Sequence, residues 1–144
     1  MLYRLLVLLF FSLSLPVWAS DKVYIPSIFV SKIVSIYDAD TFRIQINEWP
    51  GIVGDSIPVR LLGVDAPEIR GKCQTEKVRA RAARQFTVVW LGKAKRIELR
   101  NVRRGKYFRL LAEVYVDGYS LAELLITQGH ARPYDGGTRK GWCT

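Results

Sequence analysis

The 144 residues suffice for one domain and leave little for a second. With 49% apolar residues the chain has material for a packed core, which sets aside a disordered polypeptide. A formal net charge of +9 points to a polyanionic partner, without choosing among nucleic acid, anionic lipid and polysaccharide.

Residues 1–19 read as a secretory signal peptide. Arg4 precedes an apolar run from Leu5 to Phe11, Pro16 follows, and Val17 and Ala19 place compact side chains before an expected cleavage point ahead of Ser20. An uncleaved membrane anchor is the alternative, but the run is shorter than the roughly 20 residues of a spanning helix. Arg4 is the sole charge in this segment, so the remainder carries +8. Residues 20–27 look like a short leader, and residues 28–144 like a single domain.

From Ile28 to Tyr37 the chain is strand-like, rich in β-branched and aromatic residues. A turn at Asp38, Ala39 and Asp40 interrupts it. Thr41 to Ile46 alternates, with Phe42, Ile44 and Ile46 on one face. Glu48 to Asp55, containing Pro50, Gly51 and Gly54, is a loop. Ile57 to Leu62 is a third strand, which Pro58 marks as an edge or a start. After Cys73 the spacing of Val78, Ala82, Phe86, Val89 and Trp90 predicts a helix with that apolar face, stopped at Gly92. Arg79, Arg81 and Arg84 fall largely off this stripe, as a solvated face.

Strands follow over Lys95 to Asn101 and Leu110 to Val116, then a tight turn at Asp117 and Gly118. Ser120 to Glu123 is a capping box opening a second helix, Leu121 to Gln128, that stops at Gly129. The tail from Pro133 to Thr144 is loop-like. Three strands, a helix, two strands and a short helix suit a small Greek-key barrel of the OB type, a β-barrel with helices of the α+β class.

Two cysteines are too few for a structural zinc site. Export places them in an oxidising compartment, which favours a Cys73–Cys143 disulfide over two free thiols. The bridge would close a loop of about 70 residues, worth about 4 kcal/mol in the chain-entropy account.

The chemistry concentrates between Asp38 and Glu68. Asp38 and Asp40 sit in the first turn; Asp65 and Glu68 follow the third strand. If the first and third strands are neighbours, these carboxylates converge, and hard oxygen ligands suit Ca²⁺ or Mg²⁺. Arg60 is a charge inside an apolar strand, and Arg109 stands at the head of another; a fixed guanidinium beside a cation grips a phosphate. A cation, two arginines and a spare carboxylate are the parts that hydrolyse a phosphodiester. Each residue alone also has a plain structural reading, as a turn aspartate or a half-buried arginine. His130, the one histidine, lacks a nucleophile motif and is read as structural.

Together these segments resemble the thermonuclease, or staphylococcal-nuclease-like, family. Asp38 to Thr41 is similar to its D-G-D-T turn, Val59 to Glu68 to its V-R-L-x-G-I-D-A/T-P-E segment, and Lys106 to Ala112 to its K-Y-G-R-x-x-A segment. The likeness runs from about Val30 to Arg132. It implies a five-stranded OB barrel with about two helices and Ca²⁺-dependent cleavage of DNA and RNA. It implies that Asp40, Asp65 and the backbone carbonyl of Ala66 hold the metal, that Glu68 activates water, and that Arg60 and Arg109 bind the phosphate. Water then attacks phosphorus in line with the 5′ oxygen and leaves a 3′-phosphate.

The chain departs from that pattern at Ala39 and Phe108, where the family has glycine, and at Gly105, where an acid is common. Tyr107 is a candidate for stacking on a base or ribose, with packing as the alternative.

The resulting expectation is an exported, monomeric nuclease with little sequence preference, acting on single-stranded or locally unpaired DNA and RNA, without stable membrane association once the signal is cleaved. A non-catalytic nucleic-acid-binding module on the same barrel is the alternative. The complete set Asp40, Arg60, Asp65, Glu68 and Arg109 favours the enzyme.

Overall fold

The computed structural model describes residues 27–143. The signal-peptide segment and residues 20–26 of the leader lie outside the described residues. Among the described residues the nine strands are β1 (Ile28–Phe29), β2 (Lys32–Asp38), β3 (Thr41–Gln45), β4 (Ile57–Leu61), β5 (Val64–Asp65), β6 (Ile97–Arg104), β7 (Leu110–Val116), β8 (Tyr119–Ser120) and β9 (Arg132–Pro133). The three helices among these residues are α1 (Gly51–Gly54), α2 (Gln74–Lys93) and α3 (Leu121–Thr127).

The main sheet runs β1-β6-β7-β4-β3-β2, with β8 added to β7. Every pairing is antiparallel except β4 with β7, where Arg60 lies beside Leu111. The first predicted strand is broken: Val30 donates to Ile97 at 2.9 Å and Ser31 donates to Gln45 at 2.9 Å. One segment thus serves both edges of the sheet, which curls into a half-barrel of the OB type. Within it lie Phe42, Ile44, Val59, Leu61, Leu99, Val114 and Leu125, all essentially without solvent contact.

Pro58 is in an interior strand, but at its start: it pairs with Arg43 of β3, and the ladder to β7 begins one residue later, at Val59. The 48–55 loop contains the single helical turn α1. Ser120 caps α3 through its hydroxyl, which accepts from Glu123 at 3.3 Å. Asp117 and Gly118 both take positive φ (49° and 90°), the two-residue turn between β7 and β8.

The expected face of α2 is corrected. Val78 and Val89 are exposed, and the buried positions are Glu76, Ala80, Ala83, Thr87 and Leu91. Small residues bring the helix close to β2, and Phe86 and Trp90 pack at the margin. Thr87 donates its hydroxyl to the Ala39 carbonyl at 2.9 Å, so its burial leaves no polar group unpaired. Arg84 is more than a solvated charge, since its Nε donates to the Ile36 carbonyl at 2.9 Å. The helix also passes through Gly92 and is capped at Ala94. His130 packs against Phe86 with ring centroids 4.9 Å apart.

Cys73 and Cys143 form a disulfide with Cα atoms 5.8 Å apart, bridging 70 positions of sequence. Among the described residues no helix is long and apolar enough to cross a membrane.

Candidate active site

Register brings the acidic groups together. Asp38 ends β2, Thr41 opens β3, and Thr41 pairs with Arg60 across the β3–β4 ladder. Leu61 donates to the Asp40 carbonyl at 2.8 Å, which locks the turn to β4. The chain then turns at Gly63, with φ 83°, and delivers Asp65 at the end of β5. The following loop is pinned by the buried Glu76, whose carboxylate accepts from the backbone of Glu68 at 3.3 Å and of Lys72 at 3.0 Å. A side chain at Gly71 would collide with that same carboxylate.

The side chains form an alternating series of acids and bases. Arg60 Nη1 donates to Asp40 Oδ1 at 2.7 Å, and its Nη2 lies 3.8 Å from Asp65 Oδ1. Arg139 Nε lies 3.3 Å from the same Asp65 oxygen, and its Nη1 contacts Glu68 Oε1 at 2.8 Å. Asp65 Oδ2 accepts from the Trp142 indole at 3.0 Å. Asp40 also accepts from Thr41 Oγ1 at 3.0 Å and, on Oδ2, from the Ala66 amide at 3.0 Å. Asp38 accepts from the Ile69 amide at 2.9 Å.

Burial raises the pKa of Asp40, more than Arg60 and the Ala66 amide lower it. Burial likewise raises that of Asp38, with the nearby Glu68 charge adding to the effect. Burial lowers the pKa of Arg60, and Asp40 opposes it.

The donor set fits a hard divalent cation. Asp40 and Asp65 are buried carboxylates on either side of Arg60, and Asp40 Oδ2 has a single hydrogen-bond donor, which leaves a lone pair. One closer cluster, Cys73, Glu76 and Cys143, is no candidate because both sulfurs are consumed in the disulfide.

Arg109 lies just before β7, near enough to Arg60 for its charge to lower the Arg60 pKa further. Its Nε is buried without a hydrogen-bond partner. A charged donor in that state costs free energy until an acceptor arrives, as a phosphate oxygen would. Tyr107 is 91% exposed, so it is not a packing residue.

Residues 58–140 match the family described as staphylococcal nuclease homologue. The chain belongs to that family. It is 36% identical over 97 residues to the SPbeta prophage-derived endonuclease YokF of Bacillus subtilis (strain 168), covering 66% of this chain and 31% of that protein. It is 37% identical over 97 residues to endonuclease YncB of the same organism, covering 66% of this chain and 43% of that protein. The chain thus spans less than half the length of these curated relatives.

The departures from the staphylococcal-nuclease pattern have local explanations. Ala39 is fully buried and is not among the residues of positive φ, so that turn has no need of glycine. Gly105 donates to the Arg109 carbonyl at 2.6 Å, and a Cβ there would lie 3.1 Å from that oxygen. Phe108 does sit where glycine is favoured: it and Tyr107 have φ of 59° and 57°. Arg104 stacks on the Phe108 ring at 4.3 Å and helps hold it there.

Arg139 and Trp142 are absent from the sequence expectation. Their signal was the disulfide itself, since Cys73 lies five positions after Glu68 and draws the tail to the acidic loop.

Proposed function

We propose that the chain is an exported, Ca²⁺-dependent nuclease that hydrolyses phosphodiester bonds of DNA and RNA with little sequence preference. The observation that carries this reading is the Asp40–Arg60–Asp65 series with Glu68 at its exposed end. Family membership and the names of two relatives, both called endonucleases, support it.

In this reading Asp40, Asp65 and the Ala66 carbonyl hold one divalent cation, and Arg60 and Arg109 grip the non-bridging oxygens of the scissile phosphate. A bound Ca²⁺ supplies Lewis-acid stabilisation of charge on the phosphate. Glu68, with 48% of its side chain exposed, accepts a proton from the attacking water. The water oxygen bonds to phosphorus as the bond to the 5′ oxygen breaks. That oxygen takes up a proton from solvent, to which Glu68 later gives its own, and the other product keeps a 3′-phosphate. Among the described residues no element suited to groove reading accompanies the site, which supports weak base discrimination. The leader-like sequence from Met1 to Ala19 supports export to periplasm or medium.

End-group analysis of short labelled DNA and RNA single strands tests the chemistry. The expected products carry 3′-phosphate and 5′-hydroxyl ends. Binding without cutting under every divalent ion would instead make the chain a nucleic-acid-binding module.

A further inference from the structure

The tail after β9 is fastened at both ends. At its start, β9 pairs with β5, and Tyr134 donates to the Gly63 carbonyl at 3.0 Å. At its far end, Trp142 donates to Asp65, the Arg132 guanidinium stacks 3.7 Å from the Trp142 ring, and Cys143 is bonded to Cys73. Arg139 hangs between these anchors and reaches back to Asp65 and Glu68.

Arg60 and Arg139 are not equivalent partners. Arg60 comes from the interior of β4 and is buried, so it is fixed to the frame. The side chain of Arg139 is 43% exposed and borders a cleft of about 630 Å³, lined also by Gly63, Tyr134, Asp135 and Lys140. A guanidinium in that setting leaves its carboxylates at small desolvation cost. Two anions as close as Asp65 and Glu68 need a positive charge near them when no cation is bound.

We propose that Arg139 is a positioning residue that stands in for the divalent cation in the substrate-free protein. Delivered by the disulfide-tethered strap, it holds Asp65 and Glu68 in place, and it competes with the cation for Asp65. This rests on the reading of Asp65 as a cation ligand. Arrival of the cation displaces the guanidinium into the adjoining cleft and releases Glu68.

Calorimetric titration of Ca²⁺ into the nucleic-acid-free protein tests this without reference to turnover. Arg139→Ala should tighten Ca²⁺ binding by about ten-fold, the scale of losing a charge-assisted competitor. Arg139→Lys, which keeps the charge, should stay close to wild type. Cys143→Ser should also tighten binding, and combining it with Arg139→Ala should add little, because both remove the same competitor. Equal or weaker binding by Arg139→Ala, with wild type still binding Ca²⁺, overturns the inference and leaves the cation site standing. Fully additive effects overturn delivery by the strap. Absence of Ca²⁺ binding in all variants overturns the cation site and the inference together.

Discussion

The Trp142 indole donates to Asp65 Oδ2 at 3.0 Å across 77 positions of sequence. That bond orients the carboxylate so that its other oxygen faces Arg60 and Arg139. The acidic end of the barrel is therefore built from two distant parts of the chain: the β2–β5 region supplies Asp40, Arg60, Asp65 and Glu68, and the tail holds Asp65 and Glu68.

Glu68→Gln removes the proton acceptor and keeps the shape. Turnover of single-stranded DNA should fall by about 100- to 10,000-fold. Binding, followed by fluorescence anisotropy, should persist. Activity within a few-fold of wild type would mean that another group takes the proton.

Arg60→Met leaves Asp40 buried without its closest counter-charge. Breaking such a pair costs about 3–5 kcal/mol. Urea unfolding in chelator should register a loss of that size. A loss below about 1 kcal/mol would mean that Asp40 is adequately held by Thr41 and the Ala66 amide.

Tyr107 lies almost wholly in solvent, so Tyr107→Ala should leave the thermal midpoint unchanged. Loss of a stacked base should weaken binding of single strands by about 1–3 kcal/mol. Unchanged affinity would remove Tyr107 from the substrate surface.

Glu98 offers a pH test away from the site. Its carboxylate accepts from Arg100 Nε and Nη2, both at 2.9 Å. The Arg100 hydrogen bonds chiefly, and Ser27 next, lower its pKa from 4.5 to about 2. A depressed folded pKa contributes stability above the unfolded value. That contribution fades as pH falls from 4.5 towards about 2. Carboxyl NMR titration should find Glu98 near that low value, and Arg100→Ala should return it towards 4.5. An unshifted Glu98 in the wild type would contradict the pairing.

Much of this architecture was legible in the residues. Alternation located β3, and the capping serine located α3. Asp40, Arg60 and Asp65 stood out because charges in apolar strands or paired turns demand partners, and register supplies them. The face of α2 was hidden because its buried positions are mostly small, and hydrophobic size pointed to Val78 and Val89 instead. Close approach of helix to sheet selects Ala80, Ala83 and Thr87, a packing requirement that no periodicity of large residues records. Arg139 was hidden for a different reason: a glycine-rich tail has no period at all, and its path is set by anchors at Cys143 and Trp142.

The most direct measurement is degradation of single-stranded DNA by the purified chain from Ser20 onward, first with Ca²⁺ and then with excess chelator. Cleavage that requires Ca²⁺, stops with chelator and leaves 3′-phosphate ends is the predicted result. Retained binding with no cleavage under any divalent ion would contradict a catalytic role for Asp40, Asp65 and Glu68.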